Sequence, residues 1–464
     1  MTAPEREWSR FRQTAGDGSF GLLPKYIACI VIGACSSATL GQDPWPEFQR
    51  TTSRLGRTAT IGPQTPRIEW SIQFDFSNSS GDIGASPVMD SEGRIFLGGR
   101  EGLACVDSVN RVLVWEFPVS DSIDSAASVY QGRVLFGSAN DTFYCVDASS
   151  GAELWSAPAL PHPNRGQAAA GNPGDGIVYY PSELDVLYAR STKDGSEIWT
   201  VPSADGIVTP PALDGQGRLF VGGTAGDSVR AHSTDDGSTL WTGPVGGNLG
   251  VTPTENGLVY AARFNSPGTS WCLDAATGEE LWSYSPNGFN SGDIALAPDG
   301  TVYLTAGGDN TDLIALSADG EELWRYALGE QAKSAPIVAG DGTVYVCSFY
   351  SPNSGHVHAV SPDGAGLWIA ELPHKVQPSP MLAPDGTLYV VCRDRRLYAF
   401  QDPEKGDVSL NDIIDGRDIR FFIRVLFGVD DNEFRVFAAD MNGDGVVDVN
   451  DVPLFVDTLL TTDI

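Results

Sequence analysis

The fold is decided by the stretch Cys145-Val146-Asp147-Ala148-Ser149-Ser150-Gly151-Ala152-Glu153-Leu154-Trp155, because close variants of it recur along the chain. A small residue, then Asp or Ser two positions later, then a glycine turn, lead each time to a tryptophan. The spacing between copies is about 40 to 45 residues, which is typical of a β-propeller with one four-stranded blade per repeat. The tryptophans are Trp70, Trp115, Trp155, Trp199, Trp241, Trp282, Trp324 and Trp368.

The residues between the tryptophans support β-structure. Asp-Gly pairs such as Asp385-Gly386 separate runs of alternating β-formers, for example Thr343-Val344-Tyr345-Val346. Asp-Gly is a strong hairpin signal because both central residues of the tight turn need a positive φ. The pattern therefore predicts a mainly β chain built from hairpins over residues 66–401.

The two ends of the repeat region predict how the ring closes. The last repeat reaches Leu397-Tyr398-Ala399-Phe400 without a closing tryptophan, whereas Trp70 stands on a strand with no blade before it. The strand around Trp70 is therefore predicted to complete the eighth blade, which removes an open sheet edge. The expected fold is an eight-bladed β-propeller closed by an N-terminal strand and followed by a small α-helical domain.

The closing motif resembles the tryptophan-docking motif of the quinoprotein-like propellers, which include pyrroloquinoline-quinone dehydrogenases and the outer-membrane assembly lipoprotein propeller. The resemblance implies that each indole packs on the next blade and that the Asp or Ser ties the turn. The resemblance therefore implies that the tryptophans serve packing between blades. The dehydrogenases of this family also carry an adjacent-cysteine disulfide and a calcium site over the central axis. This chain has no neighbouring cysteine pair and no Cys-x-x-Cys-His motif, so we do not expect quinone-dependent dehydrogenase activity.

Charge narrows the classes of partner. The chain has 60 acidic and 29 basic residues, for a formal net charge of −31. A surface this negative repels phosphate backbones, so nucleic acid and anionic lipid are not expected partners. Cations and proteins with basic faces are expected instead.

The N-terminus is predicted to be an export signal over residues 1–41. Lys25 precedes the apolar run Tyr26 to Ala34, and small residues follow. This run is too short to span a bilayer but suits a signal-peptide core, with cleavage after Gly41. The alternative is lipidation of Cys35, since Ile32-Gly33-Ala34-Cys35 resembles a lipobox. Residues 42–65 are predicted to form an arm on the ring, beginning with Trp45-Pro46-Glu47-Phe48, and no transmembrane segment is expected elsewhere.

The cysteines beyond the predicted signal do not indicate a disulfide framework. Their number is odd and their spacing is not paired. Cys105, Cys145 and Cys272 share one repeat position with alanines of other blades, so they are interpreted as small buried hydrophobic residues.

After Gln401 the pattern changes, and residues 402–464 contain a predicted calcium loop at Asp440 to Asp451. Glycine at position 6 permits the sharp turn of such loops, and oxygen ligands at fixed spacing suit the six to eight oxygens that calcium needs. The predicted ligands are Asp440, Asn442, Asp444, Val446 through its carbonyl, Asp448 and Asp451.

A second, weaker loop lies upstream, and each loop leads into an apolar helical run, Ile419–Phe427 and Val452–Leu460. The duplicated loop-helix unit, with Asp at position 12, resembles the dockerin family. That resemblance implies two calcium ions and docking onto a cohesin-type receptor. The predicted ligands of the weaker loop are Asp407, Ser409, Asn411, Ile413, Asp415 and Asp418.

Two departures affect the first loop, where Leu410 stands at position 4 and Asp412 replaces glycine at position 6. These residues are less permissive in a tight turn, so weaker binding or an empty site is expected. The receptor face is not readable from the sequence, although Arg417, Arg420 and Arg424 are candidates. Helix-surface charges near an acidic loop are the alternative interpretation.

Catalytic patterns are sparse. His356 and His358 are strand neighbours that face one side, but two histidines without a third ligand make a weak metal site. No nucleophile elbow, phosphate loop or zinc-protease motif is present. Acidic residues are abundant enough that a glycosidase pair could be hidden among them.

Two functions of different class follow. In the first, the chain is an exported, non-catalytic propeller that binds protein or carbohydrate on its faces and is attached to a partner or cell surface by its calcium module. In the second, it is a secreted polysaccharide-acting enzyme that the module carries into a complex. The first is the preferred hypothesis.

Overall fold

The repeats form eight antiparallel sheets in a computed structural model of the chain. The structure describes residues 51, 53–74, 85–158, 169–170, 176–182, 186–202, 209–223, 228–243, 250–264, 268–286, 288–308, 311–350 and 354–462. The predicted signal peptide, Cys35 and the Trp45–Phe48 stretch lie outside these residues.

Blades 1 to 4 take their strands in chain order, from the axis outwards. These strands are β2 (Val88–Met89), β3 (Arg94–Gly98), β4 (Gly102–Asp107), β5 (Val112–Pro118), β6 (Ser128–Tyr130), β7 (Arg133–Ser138), β8 (Thr142–Asp147), β9 (Glu153–Pro158), β10 (Ala169–Ala170), β11 (Ile177–Ser182), β12 (Val186–Ser191), β13 (Glu197–Pro202), β14 (Ala212–Leu213), β15 (Arg218–Gly222), β16 (Val229–Ser233) and β17 (Thr239–Thr242).

Blades 5 to 8 continue the pattern, with a fifth strand in blade 6 and the N-terminal strand in blade 8. They contain β18 (Val251–Pro253), β19 (Leu258–Arg263), β20 (Thr269–Asp274), β21 (Glu280–Tyr284), β22 (Phe289–Asn290), β23 (Ala295–Leu296), β24 (Val302–Gly307), β25 (Thr311–Leu316), β26 (Glu322–Ala327), β27 (Ile337–Val338), β28 (Val344–Tyr350), β29 (Ser354–Val360), β30 (Gly366–Leu372), β31 (Met381–Leu382), β32 (Leu388–Cys392), β33 (Arg396–Phe400) and β1 (Ile68–Gln73).

Ring closure follows the prediction. Strand β1 pairs antiparallel with β33 in the order β1-β33-β32-β31, and Trp70 stands opposite Ala399. The Trp70 ring meets Tyr389 edge-on, with centroids 5.8 Å apart. The eight-bladed fold with an N-terminal closing strand is therefore confirmed.

The tryptophans hold neighbouring blades together. Each of six indoles donates its Nε1–H, over 2.8–3.1 Å, to a backbone carbonyl in the turn of the next blade. A glycine of that turn lies under the ring, where an added Cβ would come within 2.5–2.8 Å of the indole. The donor and acceptor pairs are Trp115 and Ala148, Trp155 and Thr192, Trp199 and Thr234, Trp241 and Ala275, Trp282 and Ala318, and Trp324 and Pro362.

The seventh indole, of Trp368, donates instead to the carbonyl of Pro63, at 3.0 Å. The reason is topological, since the outer strand of blade 8 comes from the N-terminus. Blade 8 therefore lacks the turn between third and outer strand whose carbonyl accepts the indole N–H in the other blades. The preceding N-terminal segment takes the place of that turn.

The docking turn needs glycine for two reasons: the backbone there has a positive φ, and a side chain would overlap the indole ring. Gly195 has a φ of +72°, and an added Cβ would lie 2.6 Å from Cε3 of Trp155. Gly132 has a φ of +74°, but nothing lies within 4 Å of its added Cβ. We expect Gly132→Ala to cost about 1–2 kcal/mol of unfolding free energy from the left-handed conformation alone. Gly195→Ala should cost about 1–3 kcal/mol more from overpacking. Chemical denaturation of both variants checks this, and equal losses would contradict the docking role of the glycine.

The N-terminal segment before β1 crosses the innermost strands of several blades. Ser53 donates to the carbonyl of Leu213 in blade 4, while Leu55 and Gly56 accept from Leu296 and Val338 in blades 6 and 7. Leu55 and Arg57 also lie beside Thr254 and Leu258 of blade 5, so the segment runs over blades 4 to 7. The described part of the predicted arm therefore lies against one face of the ring.

Three helices follow the propeller: α1 (Asp418–Leu426), α2 (Glu433–Ala439) and α3 (Asp451–Thr462). They surround a small core in which the rings of Phe422 and Phe455 stack with centroids 4.0 Å apart. Helices α1 and α3 coincide with the predicted apolar runs. Helix α2 was not predicted, because seven residues are too few to show an apolar period. No helix in the described part of the chain is long and apolar enough to cross a bilayer.

The described cysteines are Cys105, Cys145, Cys272, Cys347 and Cys392, and all five are buried and free. Burial raises the pKa of the Cys145 thiol to about 12, so it stays protonated and unreactive at neutral pH. The interpretation of Cys105, Cys145 and Cys272 as small buried hydrophobic residues is confirmed.

Candidate calcium loops and the surfaces around them

The second predicted loop folds around its first carboxylate. Asp440 follows α2 directly, and its Oδ1 accepts from the N–H groups of Gly443 and Asp444 at 2.9 and 3.2 Å. Its Oδ2 accepts from Gly445 at 3.1 Å. Gly443 and Gly445 have φ values of +73° and +83°, the left-handed conformation that glycine adopts at little cost. The glycines at positions 4 and 6 thus let the backbone wrap around Asp440.

The last carboxylate closes the same loop. Asp451 is fully buried; its Oδ1 accepts from Met441 and Asn442 at 2.8 and 3.1 Å, and its Oδ2 accepts from Asp448 at 2.8 Å. It is also the first residue of α3, where a negative charge is favoured by the helix dipole. Asp451 therefore joins both ends of the loop to the helix that follows.

The first loop repeats these contacts, with few differences. Asp407 accepts from Asn411 and Asp412 at 3.0 and 2.8 Å, and Asp418 accepts from Ser409 and Asp415 at 2.7 and 2.8 Å. Asp407 and Asp418 are buried like Asp440 and Asp451.

The first loop also adopts the same two left-handed positions, but without glycine. Leu410 and Asp412 both have a φ of +61°, which is costly for residues with a Cβ. The departures noted in the sequence thus coincide with backbone strain. This strain supports the expectation that the first loop is the weaker site.

The remaining predicted ligands are more exposed and bond locally. Asn442 donates to Asp444 at 3.0 Å, Asp448 accepts from Asn450, and Asp415 pairs with Arg417 at 2.6 Å. Val446 and Ile413, the carbonyl positions, are exposed. Across the described residues, no three His, Cys, Asp or Glu side chains converge as a formed metal centre. The structure brings the first and last carboxylates to the loop backbone, and calcium binding stays a prediction.

The chemistry of the donor set suits calcium. Carboxylate, amide and backbone oxygens are the hard ligands that calcium prefers, and the loop contains no nitrogen or sulfur ligand. The glycines at positions 4 and 6 let the loop curl as such sites require. The residues present therefore fit a calcium ion at the second loop.

Two residues outside the loops contact the module, one from the propeller and one from the module itself. Arg67, just before β1, donates to Asp412 at 3.2 Å, so the residue that replaces glycine in the first loop contacts the ring. Lys405 donates to the carbonyls of Phe437 and Asp440, each at 2.6 Å. No local pattern predicts the contact of Arg67, because it depends on how the module lies against blade 8.

The candidate receptor arginines are exposed, and each has a local contact. Besides the pair of Arg417 and Asp415, Arg424 lies 3.6 Å from Asp430, and the Arg420 guanidinium lies 5.0 Å from the ring centroid of Phe421. These contacts suit surface charges near acidic loops, and a receptor role stays a prediction.

The N-terminal segment brings together a charged pair that sequence reasoning missed. Arg54 is buried with a φ of 56°, and its Nε donates to the carbonyl of Pro211. Asp293 is half-buried; burial raises its pKa to about 7, while the positive charge of Arg54 acts in the opposite direction. The N-terminal segment thus places a cation beside a carboxylate in the connection between β22 and β23 of blade 6.

The two neighbouring histidines belong to a hydrogen-bonded row on blade 7. His356 Nδ1 lies 2.8 Å from Glu330, and His358 Nε2 lies 2.8 Å from the Ser348 hydroxyl. His358 is buried, and its pKa is lowered to about 4 by burial and then by His356. The two imidazoles and the carboxylate form a row of local hydrogen bonds, and they belong to no group of three metal-ligating side chains among the described residues.

This lowered pKa predicts a pH effect on stability. A folded pKa below the unfolded value of 6.5 means that the unfolded chain binds the proton more readily. Stability is fully present above pH 6.5 and falls as the pH drops from 6.5 towards 4, by up to about 3 kcal/mol. Urea unfolding at pH 7 and pH 4.5, compared with His358→Gln, checks this. If the variant keeps the full acid sensitivity of the wild type, His358 is not its source.

Comparison with known proteins places the propeller among characterised repeats. The family model PQQ_2, described as outer membrane protein assembly factor BamB, matches residues 53–157, 145–261 and 266–351. No curated protein matches the chain.

Solved structures share the fold at low identity. BamB from Moraxella catarrhalis is 16% identical, with a TM-score of 0.58, and the match covers 72% of this chain and 99% of that chain. The quinohemoprotein alcohol dehydrogenase from Comamonas testosteroni is 12% identical, with a TM-score of 0.63 and coverages of 79% and 82%. The quinohemoprotein alcohol dehydrogenase ADHIIG from Pseudomonas putida HK5 is 16% identical, with a TM-score of 0.60 and coverages of 75% and 75%. At these identities the likeness shows the fold alone.

Proposed function

The chain belongs to the PQQ_2 family, described as outer membrane protein assembly factor BamB, and on that premise we propose that its propeller is a non-catalytic binding scaffold. In this proposal the propeller faces bind protein or carbohydrate. The C-terminal module, with its dockerin-like pair of loops, binds calcium and attaches the scaffold to a cohesin-type receptor or another protein at a surface.

The observation that carries the proposal is the shared hydrogen-bond pattern of the two loops. In each, the carboxylates at positions 1 and 12 accept backbone N–H groups from the same parts of the loop. A pattern repeated across a duplicated unit supports an ion-binding loop over an ordinary acidic turn. Asp440, Asn442, Asp444, Asp448 and Asp451, with the carbonyl of Val446, would hold the ion, and the first loop would bind more weakly or stay empty.

The chemistry that calcium supplies here is structural. A bound cation would neutralise carboxylates that otherwise repel one another within the loop. The chain's own residues then fix the start of α3 and the end of α2 to the loop. A stable module would present its exposed helix faces to a receptor.

Calcium titration of the full chain tests the attachment half of the proposal. Isothermal titration with calcium chloride is expected to show one tight site, together with increased protection of residues 402–462 in hydrogen exchange. Retention on an immobilised panel of purified cohesin domains should require calcium and be lost when residues 402–464 are removed. Absence of heat and of protection at millimolar calcium would refute the calcium module.

Alcohol oxidation is a catalytic alternative, because two of the similar solved structures are quinohemoprotein alcohol dehydrogenases. The other alternative is a polysaccharide-acting enzyme that the module carries into a complex. Alcohol oxidation after reconstitution with pyrroloquinoline quinone, or hydrolysis of a glycan panel, would replace the scaffold proposal. We expect neither activity from the full chain.

Export is the remaining part of the proposal. It is supported by the signal-like N-terminus and by membership of a family described by an outer-membrane assembly factor. Mass analysis of the mature protein should find Gln42 at the N-terminus. A diacylated Cys35 would instead show that the propeller is anchored to a membrane.

A further inference from the structure

A small pocket lies at one end of blade 6, on the opposite ends of the strands from the N-terminal segment. Its volume is about 210 Å³. Its lining residues include Phe264, Phe289, Gly308, Thr311, Gln331 and Lys333.

The pocket exists because blade 6 lacks a side chain that its neighbours have. Strands β19, β24 and β28 each contain a tyrosine opposite the innermost strand, at Tyr260, Tyr303 and Tyr345. Four residues later, blades 5 and 7 carry Phe264 and Phe349, whereas blade 6 carries Gly307, followed by Gly308. The phenyl group that the repeat places on either side is missing here, so a space is left over the blade.

The walls of the pocket are fixed by contacts of their own. Strand β22 pairs with the end of β24, opposite Gly307, and brings Phe289 to a centroid distance of 5.1 Å from Phe264. Asn290 is buried behind Phe289 and donates to Thr269 and Ser270 at 3.0 and 3.2 Å. Blade 6 is the one five-stranded sheet among the described blades, and its extra strand supplies this wall.

The rim of the pocket is also fixed by hydrogen bonds. The N–H of Ala332 donates to the Thr311 hydroxyl at 3.2 Å, and the carbonyl of Gln331 accepts from Phe349 at 2.8 Å. The side chains of Gln331 and Lys333 are exposed. The pocket is therefore formed before any ligand arrives, which lowers the entropic cost of binding.

Size and chemistry restrict the occupant. Pockets for whole small molecules usually span about 300–1,000 Å³, so this one suits a single side chain. The phenyl rings of Phe264 and Phe289 line it. These rings favour an apolar side chain, which leaves no polar group without a partner against them. Gln331 and Lys333 can donate to the backbone carbonyls of a segment that crosses the rim.

We propose that this pocket receives one aromatic or leucine-sized side chain from an exposed segment of a partner protein. The inference rests on the proposed binding role of the propeller and selects protein over carbohydrate as the ligand of this face. One apolar anchor in a preformed pocket with a polar rim is the arrangement typical of binding hot spots. The net charge of −31 favours a partner protein of positive net charge.

Capped amino acids are suitable probes of the pocket in the full-length protein. We expect N-acetyl-phenylalanine methylamide and N-acetyl-leucine methylamide to compete for one site in ligand-observed NMR. N-acetyl-alanine methylamide should bind at least about tenfold more weakly, since it buries less apolar surface. Failure of the phenylalanine and leucine probes to bind, or equal binding of all three, would overturn the proposal.

A pocket-filling variant locates the site. Nothing lies within 4 Å of a Cβ added at Gly308, and its φ is outside the left-handed region, so Gly308→Phe should fold and occupy the pocket itself. It is expected to abolish binding of the phenylalanine probe, while Gly308→Ser, with the same backbone change and a small side chain, retains it. Unchanged binding in folded Gly308→Phe would place the probe elsewhere and refute the assignment.

The outcomes separate this inference from the proposed function. Competition of the probe by cello- or xylo-oligosaccharides, lost in Gly308→Phe, would show a carbohydrate pocket and overturn the protein-anchor proposal only. Turnover of a glycan or alcohol by the wild type would instead refute the scaffold function, whichever probe binds.

Discussion

Asp451→Ala is expected to abolish tight calcium binding and to release α3 from the module. The buried carboxylate accepts three backbone N–H groups, from Met441, Asn442 and Asp448. Alanine leaves these donors without partners, and each buried unsatisfied group costs about 1–3 kcal/mol. Calcium affinity should fall more than about 100-fold, because even residues behind the ligands change affinity by about 10–100-fold. Isothermal titration and hydrogen exchange over residues 440–462 measure the two effects.

Asp418→Ala is the matched control in the first loop. Asp418 occupies the same loop position and is also fully buried, with two N–H partners. It should loosen α1 but leave the tight calcium site in place, because the first loop is strained at Leu410 and Asp412. If Asp418→Ala removes the tight site and Asp451→Ala does not, the order of the two loops proposed above is wrong.

Trp368→Ala is expected to cause the largest loss of stability of any single tryptophan replacement in the ring. Trp368 is 8% exposed; its ring lies 5.8 Å from Tyr345 and 6.1 Å from Phe400, and its Nε1–H bonds Pro63. It therefore joins blade 7, blade 8 and the N-terminal segment at the place where the ring closes. Truncation of a buried tryptophan costs about 3–5 kcal/mol, measurable as a shift in the midpoint of guanidinium unfolding.

Leu367→Ala provides the comparison, since Leu367 is the next residue and 48% exposed. An exposed substitution should change the unfolding free energy by no more than about 0.5 kcal/mol. Trp368→Phe keeps an aromatic ring but loses the bond to Pro63, so an intermediate cost of about 1–2 kcal/mol is expected. A loss below about 1 kcal/mol for Trp368→Ala would show that the closure does not depend on this indole.

Much of the fold was predictable because the same motif recurs many times along the chain. One copy of Asp147 to Trp155 is a weak signal, but several copies in register indicate a propeller, and a strand left over at each end predicts closure through Trp70. The structure confirms this with the pairing of β1 and β33. The two candidate calcium loops were predictable for a related reason: a loop that binds an ion needs oxygen ligands and glycines at fixed chain positions, and such spacing is local.

The sequence by itself determined the elements whose causes are local or repeated: the blades, the docking tryptophans, the closing strand and the two acidic loops. The tertiary structure decided the contacts between elements that are distant in the chain. Arg54 beside Asp293, Pro63 in place of a missing turn, and Arg67 beside Asp412 each join residues far apart in the chain. The pocket over blade 6 is a further case, because the absence of a side chain at Gly307 and Gly308 becomes a cavity only when Phe264 of blade 5 and Phe289 of β22 supply phenyl rings around it. No local sequence pattern predicts such contacts, because the residues involved are far apart in the chain and meet only when the elements pack together.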